Sequence, residues 1–451
     1  MQLPRFIKNI IKKINNAGFE AYTVGGAVKN YLSGEDLSRL DNWDLTTSAT
    51  PEELLKIFPK GRYENKFGTV IVPYKKKGAK KPMDIEITTY RTEATYSDKR
   101  HPDKVGFTKN LKEDLKRRDF TINAIVWDGK KLVDLFSGQE DFRNRIIKAV
   151  GNPDERFRED ALRMLRAIRF ATTYQFIIEN ATYKSIKKNA KLLQRISKER
   201  IRDEFMKIIA SDAPAQGMLY LHDTGLLEYI IPELKEGIGI TQNWHHIYTI
   251  FQHCILSLAY CPSSDSLVRL ATFLHDISKP ETKVDLGKRS TFHGHQTVGA
   301  KKVNKIMEDL KFSNKEIYKV THLIKHHMFY YNIGEITDRG VRRLLSRVGK
   351  ENMADLIDLR VADRIGSGCP KAKPYKLIDL ERRIVEAQRQ PLSVKMLKVD
   401  GYDVMNILKI KPGPKVGKVL NQLLEEVLDD PKRNRKRYLK KRIKEMGKTL
   451  D

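Results

Sequence analysis

Asn42-Trp43-Asp44 sets a carboxylate two residues after an amide, on a run that leads into Thr50-Pro51-Glu52-Glu53. Alternate residues of an extended chain share a face, so Asn42 and Asp44 point the same way and Asp41 points the other. Two carboxylates at these positions would share a divalent ion. An amide at one of them keeps an acceptor oxygen but removes a negative charge. On the run 83–90, Asp84, Glu86 and Thr88 share one face, so Glu86 can stand beside Asp44 if the two strands pair. Carboxylates on adjacent strands hold the magnesium ions that activate a hydroxyl and stabilise a leaving pyrophosphate.

Other residues suit the same chemistry. Gly25-Gly26 lies between a strand-like and a helix-like segment, where backbone N–H groups can meet a phosphate. Arg117 and Arg118 can clamp a triphosphate and Asp119 can accept from a ribose hydroxyl, although such a run also suits a solvated, N-capped helix. Asp160 and Arg163, three apart in a helical pattern, offer an acceptor and a donor to a base edge, or a surface salt bridge to each other. Nine of the eleven histidines fall between His245 and His327. With Asp276 and Asp363 they form a series of imidazoles and carboxylates suited to nickel, manganese or iron.

The elements that must position these groups divide the chain. Through residue 150, β-branched strands alternate with short helices: 20–24, 67–74 and 83–90 read as strands, and Val28, Tyr31 and Leu32 form one helical face. Thr50, Pro51 and Glu53 carry a helix-entry signature. Beyond Asp154 the apolar spacing is helical. The expected fold is therefore α+β, a small head at 1–150 followed by an all-α body. Breaks at 151–153, 211–216 and 366–374 give a neck at 151–216, a histidine-rich domain at 217–370 and a helical tail at 371–451. The basic tail beyond Asp429 reads as a solvated helix. A net charge of +28 points to a polyanionic partner, most simply nucleic acid. Three cysteines without a C-x-x-C pair indicate neither a disulfide framework nor a cysteine zinc site. No signal peptide or membrane-length apolar run is evident, so the expectation is a soluble, cytoplasmic protein with no membrane partner.

In order, VGGAVKNYL, NWDLTTSATPEEL, DIEITTYRTEATYSDKRHPDKVGF, EDLKRRDFTINA, LVDLFSGQEDF, REDALRMLRAIRFA and ISKERIRDEF resemble the class II tRNA nucleotidyltransferases, the bacterial CCA-adding enzymes and poly(A) polymerases of the polymerase-β superfamily. The resemblance runs over roughly the first 210 residues. It implies a polymerase-β-like head that adds CMP and AMP to the tRNA 3′ end from CTP and ATP, with magnesium and without a nucleic-acid template. It assigns Gly25 and Gly26 to the triphosphate, Asp44 to the metal, and Arg118 and Asp119 to phosphate and ribose. Asp160 and Arg163, with Glu159 orienting the arginine, become the base-reading pair, and Glu199 and Arg200 support their helix. Lys29, Asn123, Arg166 and Arg169 fall in the same motifs and join the nucleotide site. Asp134 and Gly138 mark the head–neck joint, and the stretch from Arg91 to Phe107 is the loop tied to the final A addition. Two motifs depart from the family pattern: Lys29-Asn30 replaces Arg-Asp, a mild change since Lys29 keeps the charge, and Asn42 replaces the first aspartate of Asp-x-Asp, which suggests a disabled catalytic site. An A-adding enzyme or a poly(A) polymerase shares this head.

His275-Asp276 and Asp363 resemble the HD phosphohydrolases, with His253 as the first ligand. His295 with His326, or its neighbour His327, would hold a second ion. That resemblance implies hydrolysis of nucleotides or 2′,3′-cyclic RNA ends with Ni2+ or Mn2+. It also leaves open an HD hydrolase with a vestigial head. The tail, with KPGPKVG at 411–417, is assigned to tRNA phosphates.

Overall fold

The computed structural model describes residues 2–40, 42–65, 68–75, 82–93, 105–242, 247–287, 290–329, 336–369, 371 and 373–448. The chain forms two compact units, Met1–Pro232 and Glu233–Asp451.

The first unit opens with α1 (Arg5–Asn16), β1 (Ala21–Val24), α2 (Gly26–Leu32), β2 (Trp43–Thr47) and α3 (Pro51–Ile57). Next come β3 (Arg62–Asn65), β4 (Thr69–Tyr74), β5 (Met83–Thr89), the short pair β6 (Arg91–Glu93) and β7 (Val105–Phe107), and α4 (Leu111–Lys116). Then β8 (Ile125–Trp127), β9 (Leu132–Asp134) and α5 (Gly138–Arg143) lead into α6 (Pro153–Glu159) and α7 (Leu162–Tyr174). Helices α8 (Asn180–Asn189), α9 (Lys198–Ile209), α10 (Pro214–Asp223) and α11 (Leu227–Ile230) follow. Among the described residues one sheet runs in the order β3-β4-β5-β2-β1-β8-β9.

The sheet positions the acidic residues through its pleat. Trp43, Leu45, Ile85 and Ile87 are buried, while Asp44 and Glu86 between them face out. Burying each apolar side chain contributes about 1.5–3 kcal/mol. A slip of one residue would drive Asp44 into the core, so the apolar set locks the register. β2 and β5 pair in parallel with Asp44 opposite Glu86, as their shared face requires. The helix entry after β2 forms as expected: Glu53 N–H donates to Thr50 Oγ1 and Thr50 N–H donates to Glu53 Oε2 at 2.8 Å.

Two local expectations need correction. Asp160 and Arg163 do not share one helix. Asp160 is extended, with φ −141°, between α6 and α7, and its Oδ1 accepts from Leu162 N–H at 3.0 Å. An aspartate side chain that caps the next turn competes with the helical ladder and breaks it here. The basic tail is likewise not merely solvated. In the second unit, α19 (Gly401–Leu408), α20 (Pro414–Asp429) and α21 (Lys436–Met446) enclose a core of their own in which Leu439 and Ile443 are fully buried. Leucine and isoleucine four apart supply an inward stripe that the surrounding lysines and arginines obscure.

The second unit begins with α12 (Ile250–Ala259), α13 (Ser266–Leu274), α14 (His295–Asp309) and α15 (Asn314–His326). It continues through α16 (Asp338–Val348), α17 (Met353–Gly366) and α18 (Tyr375–Ala387) before α19. Helix α12 packs on α13 and α17, and α15 packs on α13 and α14. None of the described helices is long and apolar enough to cross a membrane.

Candidate functional site

A cleft of about 600 Å³ opens over the inner strands of the head sheet, lined by Val24 of β1, Asp44 of β2, Thr69 of β4 and Thr88 of β5. Gly25 turns the chain from β1 into α2 at φ +70°, and a Cβ there would meet Asp44 Oδ2 at 3.3 Å. The turn therefore lies against the carboxylate, and glycine is required by both its φ and its proximity. Burial raises the Asp44 pKa, and burial followed by the Asp44 charge raises that of Glu86. Two carboxylates in register, each pushed towards protonation, form a donor set that a shared cation would relieve. Asn42 is exposed immediately before β2.

The opposite wall is cationic. Arg117, Arg118, Arg163, Arg166, Arg169 and Arg200 all line the cleft. Asp114, which the sequence reading missed, organises the first two. Its fully buried carboxylate takes Arg117 Nη2 at 2.6 Å and Arg118 Nη2 at 3.1 Å, and Arg91 N–H donates to it at 3.3 Å. Burial alone would raise its pKa, but the two guanidiniums hold it below the usual range. The signal was present: Asp114 precedes the arginines by three and four residues, one helical turn.

Asp119 faces the cleft with both oxygens engaged. Oδ1 accepts from Phe120 N–H and Asn123 Nδ2 at 2.9 Å each, and Oδ2 accepts from Arg166 Nε at 2.7 Å. Burial opposes ionisation, yet Arg166 and Asn123 hold the carboxyl far below its usual range. A ribose hydroxyl would have to share these donors. Lys29, only 5% exposed, donates to Asn123 Oδ1 at 2.8 Å and lies over the Phe170 ring at 4.6 Å.

At the inner end, Arg163 Nη1 donates to Glu159 Oε2 at 2.6 Å and Nη2 to Arg117 O at 3.0 Å. Asp160 Oδ2 accepts from Arg200 Nη2 at 2.7 Å. The expected Asp160/Arg163 pair thus meets in one cleft, each side chain held by another partner. Arg169 pairs with Glu204 at 3.2 Å. Among the described residues, nothing accepts from the buried Arg118 Nε or Arg200 Nη1. Buried donors without acceptors in a cationic cleft suit an anionic ligand. Asp134 caps α5, accepting from Gly138 N–H at 2.9 Å, and a Cβ at Gly138 would collide with Thr121 O at 2.2 Å. Residues 94–104 of the expected A-addition loop lie outside the described residues.

The second unit gathers six buried side chains. His253 comes from α12, His275 and Asp276 follow α13, His295 opens α14, His327 ends α15 and Asp363 lies on α17. His253 Nε2 lies 3.1 Å from His275 Nε2 and 3.4 Å from Asp363 Oδ1. His295 Nε2 lies 3.2 Å from His327 Nε2 and 3.3 Å from Asp276 Oδ1. Asp276 belongs to both groups, since its Oδ2 is 3.1 Å from His253 Nε2. The Nδ1 atoms of His275, His295 and His327 each lie 2.7 Å from a backbone carbonyl oxygen. A carbonyl only accepts, so each Nδ1 carries a proton, and each Nε2 presents a lone pair when its ring is neutral. Lone pairs and carboxylates converging at these distances repel unless a cation lies among them, so the donor set fits metal ions. Burial lowers the His275 pKa, but Asp276 outweighs it and raises it to about 10. Burial and then His275 lower His327 to about 3. Lys279 reaches Asp276 Oδ2 at 2.6 Å, and Arg360 reaches Asp363 Oδ2 at 2.6 Å.

His326 is corrected by this geometry. It turns away to meet the His322 ring at 4.7 Å, and His327 takes the inner position. Consecutive residues at a helix end differ by about 100°, so one of two adjacent histidines faces the core.

Residues 21–148 match the poly A polymerase head domain, and residues 294–443 match a tRNA nucleotidyltransferase domain 2. A CCA-adding enzyme of Limosilactobacillus reuteri is 32% identical over 99% of this chain and 98% of its own length. An A-adding tRNA nucleotidyltransferase of Deinococcus radiodurans is 36% identical over 77% of this chain and 82% of its own. A CCA-adding enzyme of Ligilactobacillus salivarius is 49% identical, over 49% of this chain and about half of its own length, 53%. Among solved structures, the Bacillus stearothermophilus CCA-adding enzyme in complex with CTP superposes with a TM-score of 0.72 at 27% identity, covering 98% of this chain and 97% of that one.

Proposed function

The chain belongs to the bacterial tRNA nucleotidyltransferase family that contains the CCA-adding and A-adding enzymes, and on that premise we propose that it adds CMP and AMP to the 3′ end of tRNA from CTP and ATP, in the cytoplasm. The observation that carries this is the single cleft in which the Gly25 turn, Asp44 and the arginine wall face one another, with Glu86 in register beside Asp44 on the neighbouring strand. The backbone at Gly25-Gly26 and the Asp114-held guanidiniums of Arg117 and Arg118 bind the triphosphate. Asp160 and Arg163, fixed by Arg200 and Glu159, read the base edge, and Arg166 holds Asp119 beneath the sugar. Asp44 and Glu86, with the Asn42 amide oxygen, would hold magnesium, which when bound activates the tRNA hydroxyl and offsets charge on the triphosphate. Asn42 lowers the negative charge of that donor set, so the chain as written transfers nucleotides slowly. The test is a gel assay on tRNA lacking its 3′ CCA, with Asn42→Asp beside the unaltered chain.

A second activity is supported by the buried histidine cluster. His253, His275, Asp276 and Asp363 would hold one ion and Asp276, His295 and His327 another, with nickel or manganese suiting such imidazole-rich sites. A bound ion there would polarise a phosphoryl oxygen and acidify water. The backbone carbonyls fix the imidazole tautomers, and Lys279 orients Asp276. The test is elemental analysis followed by hydrolysis of 2′,3′-cyclic nucleotides. Retention of metal by a His275→Ala, Asp276→Ala variant would refute it.

A further inference from the structure

In the wall of the nucleotide cleft, one cation differs in kind from the guanidiniums around it. The Lys29 ammonium projects from α2 and is nearly fully buried. Its hydrogen-bond acceptor is the neutral Asn123 Oδ1, and the faces of Phe170 and Tyr174 lie 4.6 and 5.3 Å away. Asn123 passes the contact to Asp119 Oδ1, and Asp119 Oδ2 holds Arg166 of α7. A relay thus runs from the phosphate-facing turn, through Lys29, to the helix that carries the base-reading arginine. Each guanidinium in the wall stays charged at any working pH, whereas an ammonium held dry can lose its proton.

We propose that Lys29 is a positioning residue whose removable charge makes nucleotide affinity in this cleft dependent on pH. The proposal rests on the cleft being the CTP and ATP site. A triphosphate in the cleft brings negative charge towards the ammonium and stabilises its protonated form. A neutral amine offers no such attraction and donates more weakly to Asn123. The groups that act on Lys29 are Asp119, Asp44 of β2, and Arg166, Arg169 and Tyr174 of α7. Burial is the largest influence, and it lowers the Lys29 pKa to about 7 although Asp119 pulls the other way. A bound triphosphate raises that value, so affinity is greatest below pH 7. It falls as pH rises through the free-state value and levels off above the bound-state value.

The experiment is titration of CTP and ATP, each with magnesium, into the full chain from pH 6 to 9, beside Lys29→Arg and Lys29→Met. Thermal unfolding of each variant confirms that it folds. For the unaltered chain, affinity should fall by up to about tenfold per pH unit on the alkaline side. Lys29→Arg, permanently charged, should keep its affinity to pH 9, and Lys29→Met should bind weakly with a flat profile. Ligand ionisation is common to all three proteins and cancels in the comparison. Tight binding with the same pH profile in all three would overturn the role of Lys29. Failure of every protein to bind either nucleotide at any pH would overturn the assignment of the cleft itself.

Discussion

Replacing Asp114 by asparagine should damage both stability and nucleotide binding, although Asp114 touches no nucleotide. Its carboxylate is fully buried, receives Arg117 Nη2 at 2.6 Å and Arg118 Nη2 at 3.1 Å, and also accepts from Arg91 N–H and Thr46 Oγ1. Asparagine keeps the shape and one acceptor but removes the charge that two guanidiniums, each less than one-fifth exposed, share. Removing one partner from a buried ion pair costs about 3–5 kcal/mol. For a domain the size of the Met1–Pro232 unit, each kcal/mol moves the midpoint by about 2–4 °C, so Tm should fall by about 6–20 °C. The effect carries a pH signature. The folded-state pKa of Asp114 is depressed, so its contribution is present above its unfolded value near 4 and is lost as pH falls through the folded value. Differential scanning calorimetry between pH 2.5 and 7.5, with CTP titration at pH 7.5, reads both consequences. The difference between parent and variant should narrow in acid, and CTP affinity should drop at least tenfold. An unchanged Tm and unchanged affinity would refute the view that this buried carboxylate shapes the phosphate clamp.

Three further outcomes are expected. In an Asn42→Asp background, Arg163→Ala should reduce discrimination of CTP and ATP against UTP and GTP more than it weakens triphosphate binding, as measured by single-nucleotide incorporation; equal loss with all four would reduce Arg163 to a structural ion pair. His327→Ala should lower the metal content of the purified protein by elemental analysis while His326→Ala leaves it unchanged, and the reverse result would contradict the inner placement of His327. Metal bound by the parent should be released in acid, completed as pH falls through the His327 value of about 3, because neutral imidazoles are required; retention well below pH 3 would show that the histidines are not ligands.

The head was legible because its chemistry rides on strict local periodicities. Trp43, Leu45, Ile85 and Ile87 alternate with Asp44 and Glu86, and that pattern alone fixes both the register and the outward face. The Thr50/Glu53 capping box could be read for the same reason. Asp160 was misread because helical spacing is blind to a side chain that caps the next turn. Asp114 went unnoticed because a buried acid and a solvated one look alike until the fold closes over them. The His326/His327 choice depends on helix rotation, which spacing leaves ambiguous by one residue. In the tail, Leu439 and Ile443 were hidden by the density of surrounding charge.

If the cleft transfers nucleotides to tRNA, Asn42 withholds one charge from its metal-binding set. The most direct test is incorporation of labelled CMP and AMP into tRNA lacking the 3′ CCA, comparing Asn42→Asp with the unaltered chain. Electrostatic stabilisation dominates phosphoryl transfer, so restoring the carboxylate should raise the rate by about 10²-fold or more, with at most three nucleotides added per tRNA. Equal rates for the two proteins, or a long adenylate tail in place of CCA, would contradict the account.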